Sequence, residues 1–362
     1  MLLLLCTFAF QVGSNLKCVR RVPLKSQIAG EYLSIEECVT DGEHGLLLVQ
    51  HRMPGSQDSY YSLRRFDLSC GEQPVGQDIA LDSAGQWEEI EWSAKRPEYA
   101  YCVRRGMFKD ANDGRLKFRS LELVATSIGG GSAGNIIGTL DLLDIMGDQQ
   151  SWGVSLYLNG ETLYAALREE VAVIDTSDLG HLAVSKVLQG RPGFYGEGGG
   201  YDRQTKRATG SRLVQLIEAA DKSVEERLRI SLGLESFVRM ASDGEVAVGV
   251  DPGHLKVYRL GSVNRQIATL QLTGWREPTP IERLMGMKPR FVSLRDGFCY
   301  VVNYDGGLTV FDVRYPETIK KVGYYNPQNE ELKTISFLQD GNVLLCGRSL
   351  HIVAPPTAAR GN

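Results

Sequence analysis

An all-β fold built from repeats is what this sequence predicts, and three observations carry the prediction. A strand-and-turn grammar recurs, most clearly in GFCYVVNYDGGLTVFDVRYPETIKKVGYY at 297–325. It reads as an apolar strand, a Gly or polar turn, a second strand ending in Asp, a Pro- or Ser-bearing turn, and a third strand closing on Gly-aromatic-aromatic. The period is regular: the second-strand positions Asp67, Glu122, Asp175, Arg259 and Asp312 fall 55, 53, 84 and 53 residues apart. Glycine is in excess, 40 residues against 13 prolines, which suits many tight turns between short strands. With a fourth apolar stretch before each copy, four strands per unit of about 50 residues describe the blade of a β-propeller. Six or seven such blades are expected, because a lone four-stranded sheet cannot bury both of its faces.

Taken in order, MLLLLCTFAF opens the chain as an apolar run too short for the roughly 20 residues of a membrane helix. Lacking a basic leader before it and a clean cleavage site after it, segment 1–17 reads as a degenerate export signal or a truncated membrane segment, with a core strand as the third reading. CVRRVPL at 18–24 has the pattern of IKKVGYY. It is expected to pair with the last blade and close the ring. The first copy follows in LSIEECV, GLLLVQHR, YSLRRFDLS and VGQDIAL, and the second in WEEIEW, EYAYCVRRG, GRLKFRSLELVATSI and NIIGTLDL. WGVSLYL with ETLYAALREEVAVIDTSDLGHLAVSKVL makes the third. ESFVRM with GEVAVGVDPGHLKVYRLGSVNRQIATLQL makes another, and RFVSL precedes the clearest copy. KTISFL and GNVLLCGRSLHIVAPP supply a final unit without its outer strand. A single propeller domain over 18–356 results, followed by a disordered tail at 357–362.

The interval of 84 residues contains region 190–232, where QGRPGFYGEGGGYDRQTKRATG reads as a long surface loop. SRLVQLIEAADKSVEERLRISL is either a hairpin or a short helix. A hairpin makes this part of a seventh blade; otherwise six blades carry one insertion.

The strings VAVIDTSD and LTVFDVRYPETIKKVGYY resemble the LVIVD repeat, a Leu-Val-Ile-Val-Asp-like strand followed by a Ser/Asp-Pro turn and a short strand closing on Gly. Three copies carry the resemblance. No Trp-Asp pair occurs and the Gly-Gly pairs sit elsewhere than in kelch blades, so those two families do not fit. The resemblance implies a propeller of the kind common on exported or surface proteins, with no shared catalytic residues and no fixed ligand.

Composition narrows the partners. With 40 Lys+Arg against 44 Asp+Glu and a net charge of -4, the chain has no broad basic face for duplex nucleic acid. Of the seven cysteines, Cys102, Cys299 and Cys346 lie in apolar runs as buried thiols, while Cys18, Cys38 and Cys70 sit in more polar stretches with no fixed partner. No CxxC occurs.

Motifs that imitate chemistry fall at turns. Gly129, Gly131 and Gly134 spell GxGxxG, and Gly130, Ser132 and Gly134 spell GxSxG. The next residues, NIIGTLDL, hold the register of a blade strand, whereas both functional motifs need a helix there. DANDG, with Asp110, Asn112 and Gly114, is nearest to a calcium loop and reads as a hairpin turn. His44, His51, His181, His254 and His351 form no metal-binding spacing. No cofactor and no metal are expected.

The turns between the first and second strands of the repeat carry Arg52, Arg104, Arg168, Asp251, Asn303 and Arg348. On one face of a propeller they would form a mostly cationic mouth fit for an anionic or carbohydrate group. The expected function is a non-catalytic binding module for a protein or surface polymer, extracytoplasmic or membrane-associated with a cytoplasmic alternative. The second reading is a propeller hydrolase or lyase acting on a saccharide or lactone through the same mouth.

Overall fold

A computed structural model describes residues 14–356 apart from 27, 57–58, 72, 83–84, 94, 110–115, 147–153, 160, 167–169, 190–199, 203–206, 210–238, 243–245, 252–253, 260–264, 272–290, 303–306 and 329. The fold is all-β. Six sheets are each built on four antiparallel strands. The first comprises Tyr32–Thr40, His44–Arg52, Ser59–Asp67 and Ile79–Ala80; the second Gln86–Trp92, Tyr99–Lys109, Leu116–Ser127 and Ile136–Asp141. Ser155–Asn159, Thr162–Ala166, Glu170–Asp175 and Ala183–Gln189 form the third, and Arg239–Ser242, Val246–Asp251, His254–Arg259 and Arg265–Gln271 the fourth. The fifth holds Phe291–Arg295, Phe298–Val302, Leu308–Asp312 and Lys320–Tyr325, with Ser14–Asn15 added in parallel at its outer edge. In the sixth, Thr334–Phe337, Val343–Cys346 and Ser349–Val353 are completed by Cys18–Pro23. The recurring grammar of the sequence is therefore a recurring sheet, strand for strand.

In the first, second, fifth and sixth sheets the second strand reads as a nearly unbroken apolar run because neighbouring sheets cover both of its faces. Side chains alternate across a strand. Leu46 and Leu48 point into a core shared with Trp87, Ile90 and Cys102 of the second sheet. Leu47 and Val49 point the other way, against Leu344, Cys346 and Ile352 of the sixth. The second and third sheets share Val103, Leu123, Leu156 and Leu163, the fourth and fifth share Val250, Val257, Cys299 and Val301, and the fifth and sixth share Tyr300, Val302, Phe337 and Leu345. Contacts thus run from the fourth sheet through the fifth, sixth, first and second to the third. A hairpin of Gly200–Asp202 and Arg207–Thr209 lies beside Arg239–Ser242, the first strand of the fourth sheet.

The N-terminal segment fastens two sheets. Cys18–Pro23 pairs antiparallel with Ser349–Val353, Val22 opposite Leu350, as the pattern of residues 18–24 predicts. Just before it, Leu16 donates its N–H to Tyr324 and lies so close to Gly323 that a Cβ there would meet Leu16 Cδ2 at 2.6 Å. A larger residue at 323 would have to push the Leu16 side chain aside.

Gly130–Ser132 form one short 3-10 turn between Leu116–Ser127 and Ile136–Asp141, so the GxGxxG and GxSxG strings are turn residues, as their register indicates. Gly134 has a left-handed φ of 88° and a Cβ on it would strike the Ala80 carbonyl at 2.7 Å, which explains that glycine without a nucleotide. Cys102, Cys299 and Cys346 are fully buried; burial pushes the Cys102 and Cys299 thiols far up, so they stay protonated. Cys18, Cys38 and Cys70 are free thiols. Among the described residues no helix is long and apolar enough to cross a membrane. DANDG, residues 1–13 and most of 190–232 lie outside the described residues.

Candidate functional site

A cleft of about 920 Å³ opens where the fifth sheet hands over to the sixth. One wall is the end of Lys320–Tyr325, whose Tyr324 and Tyr325 face it, with Asn15 and Leu16 alongside. The connecting segment through Asn326, Gln328, Glu331 and Lys333 forms another, and Tyr32, Ser34 and Arg348 close the far side. Three sheets meet here, which is why no single repeat unit announces the site.

The aromatic rings are held in place. Lys321 Nζ sits 4.6 Å from the Tyr324 ring centroid, and Asn326 Nδ2 donates to Tyr324 Oη at 3.0 Å. Arg348 stacks its guanidinium 4.2 Å from the Tyr32 centroid while remaining exposed, and among the described residues no carboxylate pairs with it. A stacked guanidinium with open N–H edges is a preformed receptor for a carboxylate or similar anion. Lys333, by contrast, is already paired with Glu36.

Under the cleft lies a buried ionic network. Glu330, with a side chain 2% exposed, accepts from Arg21 Nη2 at 2.8 Å, from the Ser349 hydroxyl at 3.2 Å and from the Ser349 backbone N–H. His351 Nε2 lies 3.1 Å from Glu330 Oε2, at ion-pair distance but out of line for a hydrogen bond. Its Nδ1 is 2.8 Å from Tyr325 Oη. Burial would raise the Glu330 carboxyl, yet His351, the Ser349 N–H and Arg21 outweigh it and lower the pKa to about 2. Burial, with the nearby Cys18 and the Glu330 charge, pushes the Tyr325 phenol far up.

A second network sits in the first sheet. His51 Nε2 is 2.7 Å from Ser62 Oγ and 3.2 Å from Asp78, and His51 Nδ1 is 3.1 Å from Glu31. Tyr60 stacks over the imidazole at 4.4 Å and donates to Glu31. Arg64 forks onto Asp78 at 2.7 and 2.8 Å. Burial opposes ionisation of Asp78, but hydrogen bonds from His51, Arg64 and Ser62 hold it far below the usual carboxylate range. Ser62, His51 and Glu31 have the connectivity of a hydrolytic triad. Yet His51 and Ser62 are each 1% exposed, and the Ser62 hydroxyl is committed to Asp78. A nucleophile that no substrate reaches is a structural group.

Of the residues expected at the mouth, Arg348 lines the cleft, and Arg52 ends its strand directly opposite Tyr32 in register. Asp251 ends Val246–Asp251 at a hairpin turn, paired with His254. Arg104 is corrected: it lies inside Tyr99–Lys109 opposite Glu122, not in a turn. Its charge is taken up by Asp82 and by Glu122 at 2.7 Å, beneath Trp87, because this hairpin is longer than the others and turns only beyond Lys109. Arg168 and Asn303 lie outside the described residues. Sequence reasoning passed over Tyr32, Tyr324, Tyr325 and Glu330. The closing GYY of the clearest copy was the available signal for two of them.

Among the described residues no group of three or more His, Cys, Asp or Glu is placed to hold a metal ion. No protein-family model and no curated protein sequence matches the chain.

Proposed function

We propose that the chain is a β-propeller binding module for a protein or surface polymer and that the cleft beside Arg348 is its ligand site. Support for the propeller is the cyclic order of packing: the last sheet packs on the first through Leu344, Ile352, Leu33 and Leu47. The N-terminal strand Cys18–Pro23 in the outermost position of the sixth sheet is the natural closure of such a ring. The hairpin at 200–209 beside the fourth sheet supports a seventh blade in the interval after the third. The LVIVD-like strings belong to the same reading.

The observation that carries binding is Arg348, stacked over Tyr32 and without a carboxylate partner among the described residues, at the edge of an open cleft whose other tyrosines are held by Lys321 and His351. Pre-oriented aromatic and cationic groups lower the cost of ordering on association. A second reading, a propeller enzyme, draws on Tyr325, His351 and Glu330 meeting beside the same cleft. General acid–base catalysis wants a pKa near the working pH. Glu330 at about 2 stays ionised and Tyr325 stays protonated, which favours binding over proton transfer.

The test is a panel of oligosaccharides and peptides screened by thermal shift, with mass spectrometry of the recovered ligands. Ligand-dependent midpoint rises that vanish in Tyr324→Ala, with ligands recovered intact, support the module. Cleavage of a ligand that stops in Tyr325→Phe overturns it in favour of the enzyme.

A further inference from the structure

Resting on the binding-module reading, we propose that the cleft is a saccharide groove that takes a uronate-bearing chain, with Arg348 clamping a sugar carboxylate while Tyr32 backs the clamp. The lining decides the class. Aliphatic contribution is small, Leu16 and Pro327, so the groove offers no deep apolar pocket for a peptide anchor of the kind that dominates protein interfaces. Tyr324 and Tyr325 instead contribute amphipathic rings to the lining, a ring type that suits the C–H face of a pyranose, with Lys321 over one face of Tyr324. Asn326, Gln328 and Glu331 surround them with the amide and carboxylate groups that ring hydroxyls hydrogen-bond. A volume near 920 Å³ lies at the upper end of small-ligand sites and accommodates a few sugar units, not one.

Charge selects among saccharides. Arg348 is the lining cation with no carboxylate partner among the described residues, since Lys333 is paired with Glu36. The Tyr32 ring lies 4.2 Å from the exposed guanidinium, which can offer two parallel hydrogen bonds to a planar carboxylate. Arg52, opposite Tyr32 in register on the neighbouring strand, adds a second positive charge close to this edge of the cleft. Buried Glu330 does not compete for Arg348, because Arg21, Ser349 and His351 already surround its carboxylate.

Isothermal titration of the full chain with trigalacturonate, its fully methyl-esterified form and hexaglutamate tests this. Trigalacturonate is expected to bind at least tenfold more tightly than either of the others. Arg348→Ala removes that preference and Arg348→Lys restores only part of it, since an ammonium cannot fork. Equal affinity for the ester, unchanged by Arg348→Ala, overturns the carboxylate clamp while leaving a saccharide groove. Hexaglutamate binding as tightly as trigalacturonate, and lost with Arg348, overturns the saccharide class in favour of an acidic peptide. If none of the three binds to protein whose melting is cooperative, the proposal falls; the binding-module reading then stands or falls on the wider screen with Tyr324→Ala. Arg348 is exposed and the variants are expected to fold, which circular dichroism verifies.

Discussion

His51 and His351 are each 1% exposed and each faces a carboxylate supplied by the segment that leads into the first strand of a sheet, Glu31 in one case and Glu330 in the other. Their surroundings differ. Tyr60 lies nearly flat on His51, 16° between planes, and Ser62, Asp78 and Arg64 complete a closed cluster within one sheet. Tyr325 meets His351 at a tilt of 57° and turns its other side to the cleft, while the N-terminal strand contributes Arg21 from the far end of the sequence. Similar chemical parts thus give a brace around a buried histidine, covered by the partly exposed Tyr60, in one region and the floor of an open cleft in the other. What separates them is whether a neighbouring sheet and its linking segment leave room above the network.

Removing residues 18–23 should have the largest effect. It strips the outer strand from the sixth sheet, exposes Leu350 and Ile352, and withdraws Arg21 from Glu330, leaving the His51 cluster's own side chains intact. A fall in melting temperature of about 10 °C or more is expected on the basis of losing several kcal/mol. An unchanged midpoint by differential scanning fluorimetry would show that this strand does not join the first and last units.

Glu330→Gln comes next. The amide keeps the shape but loses the charge that Arg21 and His351 face and places an NH2 among donors, so a destabilisation of about 3 kcal/mol is expected in urea unfolding. Acid titration then reads the same group. Its folded-state pKa of about 2 lies below the ordinary 4.5, so its contribution is fully present above pH 4.5 and is lost as the pH falls toward 2. The wild-type protein should lose stability steeply across that window, and Glu330→Gln should show a shallower slope. Asp78 and Glu31 are lowered in the same direction, so a residual slope belongs to the His51 cluster.

Tyr60→Phe is a finer probe. Burial and the Glu31 contact hold the Tyr60 phenol up at about 12, and removing the hydroxyl leaves Ser26 and His51 on Glu31. A cost of about 1 kcal/mol is expected. A larger loss, measured by the same unfolding assay, would mean that the His51 cluster depends on its tyrosine more than the open one does on its arginine. Smallest of all, Arg348→Ala should change stability by no more than about 0.5 kcal/mol, because the side chain is exposed and stacks on one ring. That outcome would separate Arg348 from the groups that brace the fold.

The strands were legible because period-2 alternation and glycine turns are local properties. GLLLVQHR, LTVFD and CVRRVP all appear as strands within one or two residues of their expected ends. Pairing of Cys18–Pro23 with Ser349–Val353 was also readable, since a final unit without an outer strand and an initial strand without a unit are complementary. The site was less so. Arg348 and Arg52 were found by reading turns, but the same reasoning misplaced Arg104, whose hairpin runs several residues longer before turning. Tyr32, Tyr324 and Glu330 belong to three different sheets or links and share no spacing. His51 and Ser62 are 11 residues apart in neighbouring strands, and only the registers of the first sheet bring them together.

By itself, the sequence determined the class of structure: all-β, four strands to a unit, glycine at the turns, and apolar runs where a strand is covered on both faces. These follow from backbone geometry and side-chain burial, which act over a few residues. The tertiary structure alone decided which polar residues meet, that Glu330 sits beneath the cleft with Arg21 and His351, and that Arg348 rests on Tyr32. The contacts of Glu330 with Arg21 and of Arg348 with Tyr32 each cross about 300 residues of chain. Only the packing of one sheet against the next sets their distances.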